Sequence, residues 1–238
     1  MAQRPIFTPD PNEPPYVKTV EIEFKWYPGF VKSQLQKSIA SLHESAEQQG
    51  ISPILEISGK SASPLGVSLS AFNLKLETPR GPMSVECAYQ GSKKFEEGGP
   101  YHELYSVPSQ EAKTDQRLQD SGELIGFNFC GEDFPIEPQT AFYDWLYIKA
   151  LWQKDPNLAQ ELTDFEGFSD IVFNPKRSFN CQARSAALFV SLSQNELLNE
   201  QILQNRDRFL RLLNGEKPIP YPQNQPALYP ISHALSEK

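Results

Sequence analysis

The sequence predicts an α+β fold: a single, predominantly helical domain with a few short strands. The run from about Gln139 to Gln153 holds Phe142, Tyr143, Trp145, Leu146, Ile148, Leu151 and Trp152, too much apolar surface for one exposed face, so it predicts a helix central to the core. Val20, Ile22 and Phe24 alternate with charged residues, the period of a half-buried strand. A chain of 238 residues, 39% of them hydrophobic, can bury a full core as one large domain or two small ones, and no internal repeat divides it.

Residues 1–16 hold five prolines and little periodic apolar content, which predicts an extended Pro-rich arm before a domain over 17–213. After the strand around Val20, Trp26-Tyr27-Pro28-Gly29-Phe30 turns the chain. A helix follows from about Ser33 to Gln49, with Leu35, Ile39, Leu42 and Ala46 on one face and Gly50 closing it. From Val67 to Leu76 the apolar phase slips between Ala71 and Phe72, the mark of a bulge or a break between two short strands. Ser84 stands where an N-cap would open a helix, and Gly98-Gly99-Pro100 ends that region.

Ser109 to Lys113 begins another helix, stopped by Gly122; Leu124 to Phe129 reads as a strand and Glu132 to Pro138 as a loop. Beyond the central helix, Asp155-Pro156 starts a helix through Leu162, Asp170 to Phe173 reads as a short strand, and Asn174-Pro175 breaks it. Asn180 is placed to cap a helix holding Ala183, Leu188 and Leu192, and residues 196–213 form an amphipathic helix. A Pro-rich tail occupies 214–238.

No apolar stretch of about 18 residues and no signal-like segment is present, which points to the cytoplasm and away from a membrane. Three cysteines without CxxC spacing and three scattered histidines indicate neither a disulfide framework nor a metal cluster. The net charge of −8 argues against coating nucleic acid through a broad basic surface, but leaves room for a local basic mouth.

The stretch from Ser84 to Phe95 concentrates ionisable groups among residues that favour burial. On a continuous helix Glu86, Gln90 and Lys93 fall within about 60° of one another, forming a polar stripe flanked by Val85, Tyr89, Cys87 and Ala88. Such a stripe either faces a cleft as a site or is the polar face of an ordinary surface helix. Lys176, Arg177 and Ser178 ahead of Asn180 would bring cations to a helix N-terminus, a favourable place for phosphate; as loop residues they are simply exposed cations.

Glu86, Gln90 and Lys93 resemble the E-x-x-x-Q-x-x-K helix of the NADAR superfamily. Other motifs follow in order: Leu69-Ser70-Ala71-Phe72 resembles its first strand motif, Ser109 to Lys113 its P-x-E-A-K segment, and Asn180 with Arg184 its final helix start. With Phe24 to Phe30 and Asn174 to Ser185 added, the chain is most similar to the DarT-associated NADAR antitoxins over about 17–213. It departs from the pattern at Ala71, where Asn is usual, and at Phe134, where Trp is expected.

The resemblance implies a hydrolase of ribosyl N-glycosidic bonds that works without metal or cofactor. The antitoxin branch acts on ADP-ribose attached to guanine in DNA by a partner DarT-type toxin; the YbiA-like branch acts on small riboflavin-pathway nucleotides. A third possibility is neutralisation of the toxin by binding alone. The implied catalytic pair is Glu86, to stabilise positive charge at C1, and Lys93, as proton donor to the leaving guanine or as a Schiff-base nucleophile. Implied substrate contacts are Gln90, Ser70, Phe72, Lys113 and Asn180, with Tyr143 and Asp144 as an aromatic wall and second carboxylate. Lys176, Arg177 and Arg184 are implied for pyrophosphate or DNA phosphates. For Tyr143, on a core helix, core packing is the stronger reading. The DNA should be single-stranded, or its base flipped.

Overall fold

The computed structural model describes residues 1–176 and 178–216; Arg177 and the tail from 217 onward lie outside the described residues. The fold is α+β, with helices and three small sheets around a shared core.

Ala2–Pro9 (β1) pairs antiparallel with Val17–Phe24 (β2), Ala2 opposite Phe24 and Pro9 opposite Val17. This corrects the free arm expected over residues 1–16. Ile6 packs with Ile22, Phe24, Ile39 and Leu42 beneath Lys32–Glu47 (α1), while Phe7 joins the main core on the other side. A strand covered on both faces has adjacent apolar residues instead of alternating ones, so it gives no period-2 signal.

Next come Ile54–Glu56 (β3), Pro64–Ser68 (α2), Lys75–Leu76 (β4), Met83–Ser84 (β5), Val85–Gly91 (α3) and Lys93–Phe95 (β6). The strand expected from Val67 is instead the end of α2 followed by a turn, with Pro64 in the first helical turn where its missing N–H costs nothing. The helix opened by Ser84 ends at Gly91, so Lys93 lies on a strand and not on the helical stripe. The cause is local: the Asn128 N–H takes the Ser92 carbonyl at 2.7 Å, and residues 93–95 pair with Leu124–Phe129 (β7).

Between β6 and β7 lie a short 3-10 turn, His102–Ser106, then Ser109–Thr114 (α4) and Arg117–Asp120 (α5). Glu132–Phe134 (β8), expected as loop, pairs with β7 across the turn at Cys130 and Gly131, both at positive φ. Ala141–Lys154 (α6) is the central helix, and its Tyr147 is wholly buried with its hydroxyl donating to the Leu69 carbonyl at 2.6 Å.

Leu158–Leu162 (α7), Gly167–Ser169 (β9), Gln182–Gln194 (α8), Glu200–Gln204 (α9) and Arg206–Leu213 (α10) complete the described chain. The strand expected over 170–173 lies earlier, at β9. The single helix expected over 196–213 is two helices, because the Asn205 side chain leaves the helix to accept from the Arg208 N–H and cap α10. The largest sheet has the order β2-β1-β9-β3, with β3 and β9 parallel; β6-β7-β8 and β4-β5 are antiparallel. Helix α6 packs between α3 and α8, so the polar stripe of α3 is built on the core helix.

Candidate active site

Helix α3 is fixed at both ends. The Ser84 hydroxyl accepts the Cys87 N–H at 3.1 Å, and the N–H groups of Val85 and Glu86 donate to the carbonyls of Leu74 and Ala71, each at 3.0 Å. The turn after α2, which carries Ser70 and Phe72, therefore sets the backbone of Glu86. At the other end a Cβ on Gly91 would stand 2.6 Å from the Tyr105 ring. Gly99, at φ +74°, closes over β6 so tightly that a Cβ would lie 2.3 Å from the Lys93 carbonyl oxygen.

Glu86 is buried at 6% exposure, and its Oε1 accepts from Gln90 Nε2 at 2.9 Å. Lys113 Nζ stands 3.9 Å from the same oxygen and 5.0 Å from the centre of the Phe72 ring. Lys93 reaches back from β6 to put Nζ 4.8 Å from the Tyr89 ring centre. Its ammonium is brought down to about 8 by burial, with the Glu86 charge opposing the fall and the Lys113 charge adding to it. Glu86, Gln90, Lys93, Lys113 and Phe72, separated by a helix end and a strand, thus meet in one place.

Only the amide nitrogen of Gln90 can face the carboxylate, so its Oε1 points elsewhere; that oxygen is buried and has no protein partner. A buried acceptor without a donor is costly unless a ligand supplies one. Tyr89 is walled by Phe127 at 5.6 Å and Tyr143 at 5.2 Å between ring centres. Burial, and then the Glu86 charge, push the phenols of Tyr89 and Tyr143 above their usual range. Asn180 does not cap a helix: Cys181 is the N-cap of α8, and Asn180 Nδ2 donates to the Tyr89 hydroxyl at 2.6 Å.

A model of the DarT1-associated NADAR antitoxin family matches residues 2–220. The chain belongs to this family, and its role is that of an antitoxin. The match reaches back to β1, whereas the motifs in the sequence suggested a start near residue 17. No curated protein matches the chain.

In this NADAR antitoxin two expected site residues are committed to each other. Asp144 is buried at 2% exposure, with its Oδ2 taken by Arg184 Nη1 at 2.6 Å and its Oδ1 by the Ser185 hydroxyl at 2.6 Å. It ties α6 to α8 and is not a free second carboxylate; Arg184 is held in place by this pair through Nη1. Lys176 is an exposed loop residue, and α8 begins later than the expected cap, so the cation is not set on a helix N-terminus. Ser70 is buried, with its hydroxyl accepting weakly from the Phe72 N–H at 3.4 Å.

The carboxyl that sequence reasoning missed is Asp170. It accepts from Gln182 Nε2 at 3.0 Å, and Gln182 also donates to the Ile57 carbonyl and accepts the Ala71 N–H, both at 2.7 Å. Through that one amide Asp170 is linked to the turn that orients Glu86. Burial, and then the neighbouring Glu56 charge, raise Asp170 to about 7. The only trace in the sequence is an acid directly after a Phe-Ser strand, since Glu56, which perturbs it, lies on a distant strand.

Proposed function

We propose that this antitoxin removes ADP-ribose from guanine bases in DNA by hydrolysing the ribosyl N-glycosidic bond. One observation carries the reading: a desolvated amine, Lys93, lies over the Tyr89 ring within reach of the charge of a buried carboxylate, Glu86, beside an unpartnered Gln90 acceptor. Breaking a ribosyl C1–N bond builds positive charge on the sugar, which Glu86 would offset at short range. The orphan Gln90 oxygen suits a ribose hydroxyl, which brings the donor it lacks.

An ammonium that titrates near 8 is deprotonated in roughly a tenth of molecules at pH 7. That fraction makes the nucleophilic role open to Lys93, and we take it as the first to test against simple proton donation. The ring opens as C1–O4′ breaks and O4′ takes the guanine N–H proton, leaving a C1=N imine; the amine then adds to C1, the C1–N bond to guanine breaks, and guanine leaves with the protons the amine gives up. Water then attacks the resulting lysine imine at C1, releasing ADP-ribose and restoring the amine. Lys113 adds local positive charge for an anionic substrate on a chain whose net charge is −8. The partner implied by family membership is a DarT toxin, which would supply the modified guanine.

The test is incubation with a guanine-ADP-ribosylated single-stranded oligonucleotide, without borohydride to follow release and with it to trap an adduct. Release of ADP-ribose, with a reduced adduct mapping to Lys93 and absent in Lys93→Arg, is the expected result. No release from the wild-type protein rejects the reading. Release without an adduct assigns Lys93 the proton-donor role instead. Protection from the toxin by both Glu86→Gln and Lys93→Ala would show neutralisation by binding.

A further inference from the structure

We propose that Phe179, with Lys176, forms a nucleotide-binding platform at the mouth of this site, its ring stacking on a nucleobase. The proposal rests on the reading above and adds a subsite to it. Phe179 is 62% exposed, and Val172 on the same loop is 60% exposed, although both side chains would ordinarily be buried. The loop joins β9 to α8 and is tied to α8 near its start and to the site's Tyr89 near its close. Near its start, Asp170 Oδ1 accepts the Val172 N–H at 3.0 Å and Oδ2 takes Gln182. Near its close, Asn180 donates to the Tyr89 hydroxyl at 2.6 Å, and the Tyr89 ring carries Lys93 Nζ.

Phe179 directly precedes Asn180, and consecutive Cα atoms are about 3.8 Å apart, so its Cα stands within about 10 Å of that hydroxyl. The aromatic contacts of Tyr89 are made by Phe127, Phe142 and Tyr143, so Phe179 is not needed to build the recess. Lys176, also exposed, supplies a cation on the same loop. A flat apolar face on the same loop as a cation suits the two halves of a nucleotide, its base and its phosphate. The base has two possible sources: the adenine of ADP-ribose, or the nucleobase flanking the modified guanine in the strand.

Two substrates separate those sources: ADP-ribosylated guanosine, which has the adenine and no flanking base, and an ADP-ribosylated oligonucleotide, which has both. Phe179→Ala is expected to raise KM about tenfold with kcat little changed, and Phe179→Trp to restore it. A rise on both substrates identifies adenine; a rise on the oligonucleotide alone identifies the flanking base. An unchanged KM on both overturns the platform. Equilibrium binding of free ADP-ribose and of an unmodified single strand is measured in parallel. If the wild-type protein releases no ADP-ribose, the proposed function fails, and the platform stands or falls on whether Phe179→Ala weakens either binding. Equal unfolding midpoints of the variants and wild type exclude a folding defect.

Discussion

Lys93 shows how a residue can be legible in function and misread in place. Its identity was readable because an amine among Tyr89, Cys87 and Ala88 must face either a cleft or solvent, yet helical spacing put it on the wrong element. The fold restores the meeting by another route, since a strand turning back from α3 returns Nζ to the Tyr89 ring. Asp170 was illegible for a different reason: its character comes from burial first and then from Glu56, and no local pattern encodes either a buried loop or a contact between distant strands. If the amine is the nucleophile, the rate should climb about tenfold per pH unit below about 8 and level above it. Glu86 holds the Lys93 value up, so Glu86→Gln should move that limb to lower pH while lowering the maximum rate. A pH–rate profile of both proteins checks this; a limb that falls with rising pH would assign Lys93 to proton donation.

At the scale of elements, helix starts were more readable than strands. Ser84 was identified as a cap because Ser before an apolar helical run has a local cause, and its hydroxyl does accept from Cys87. Strands were missed where they are short or their partners remote: β8 is three residues paired with β7 across a tight turn, and β9 pairs with a parallel neighbour far away in the chain, β3. Ser84→Ala should therefore lower stability by about 1 kcal/mol through the unpaired Cys87 N–H, with a further loss because Ser109 donates to the same hydroxyl at 2.7 Å. Denaturant midpoints measure it. Since the same helix end fixes Glu86, turnover should drop more than the stability loss alone explains. Gly99→Ala should be worse, because its positive φ and the Lys93 carbonyl leave no room for a Cβ.

For the whole molecule, β1 is an interior strand with a core on each face, so removing residues 1–9 should leave no soluble folded protein. Ile6→Ala should be milder, at about 2–5 kcal/mol. The same sheet carries a titration that acts on global stability. Glu56 accepts from the hydroxyls of Ser58 and Ser169 and from the Ile171 N–H, and the Ser169 hydroxyl lies 2.8 Å from His43 Nε2. Asp170 stands near 7 when folded, against an ordinary 3.8, so the native state binds its proton more tightly. Its contribution is complete below about 4 and is lost as pH rises through about 7. Burial instead brings His43 down to about 4 from 6.5, so the native state resists that proton and stability is lost as pH falls through the same interval. The two slopes oppose each other between about 4 and 6.5, and only the Asp170 loss continues above it. On these two groups Tm should be nearly flat up to about 6.5, fall between there and about 7, and level above it. His43→Gln should leave a steady fall from pH 4 to 7, while Glu56→Gln, by removing the charge that helps hold Asp170 up, should end the decline at lower pH. Calorimetric Tm values for the three proteins across that range decide it: an unchanged profile in Glu56→Gln would mean that the two carboxyls do not share their charge across the β3–β9 edge.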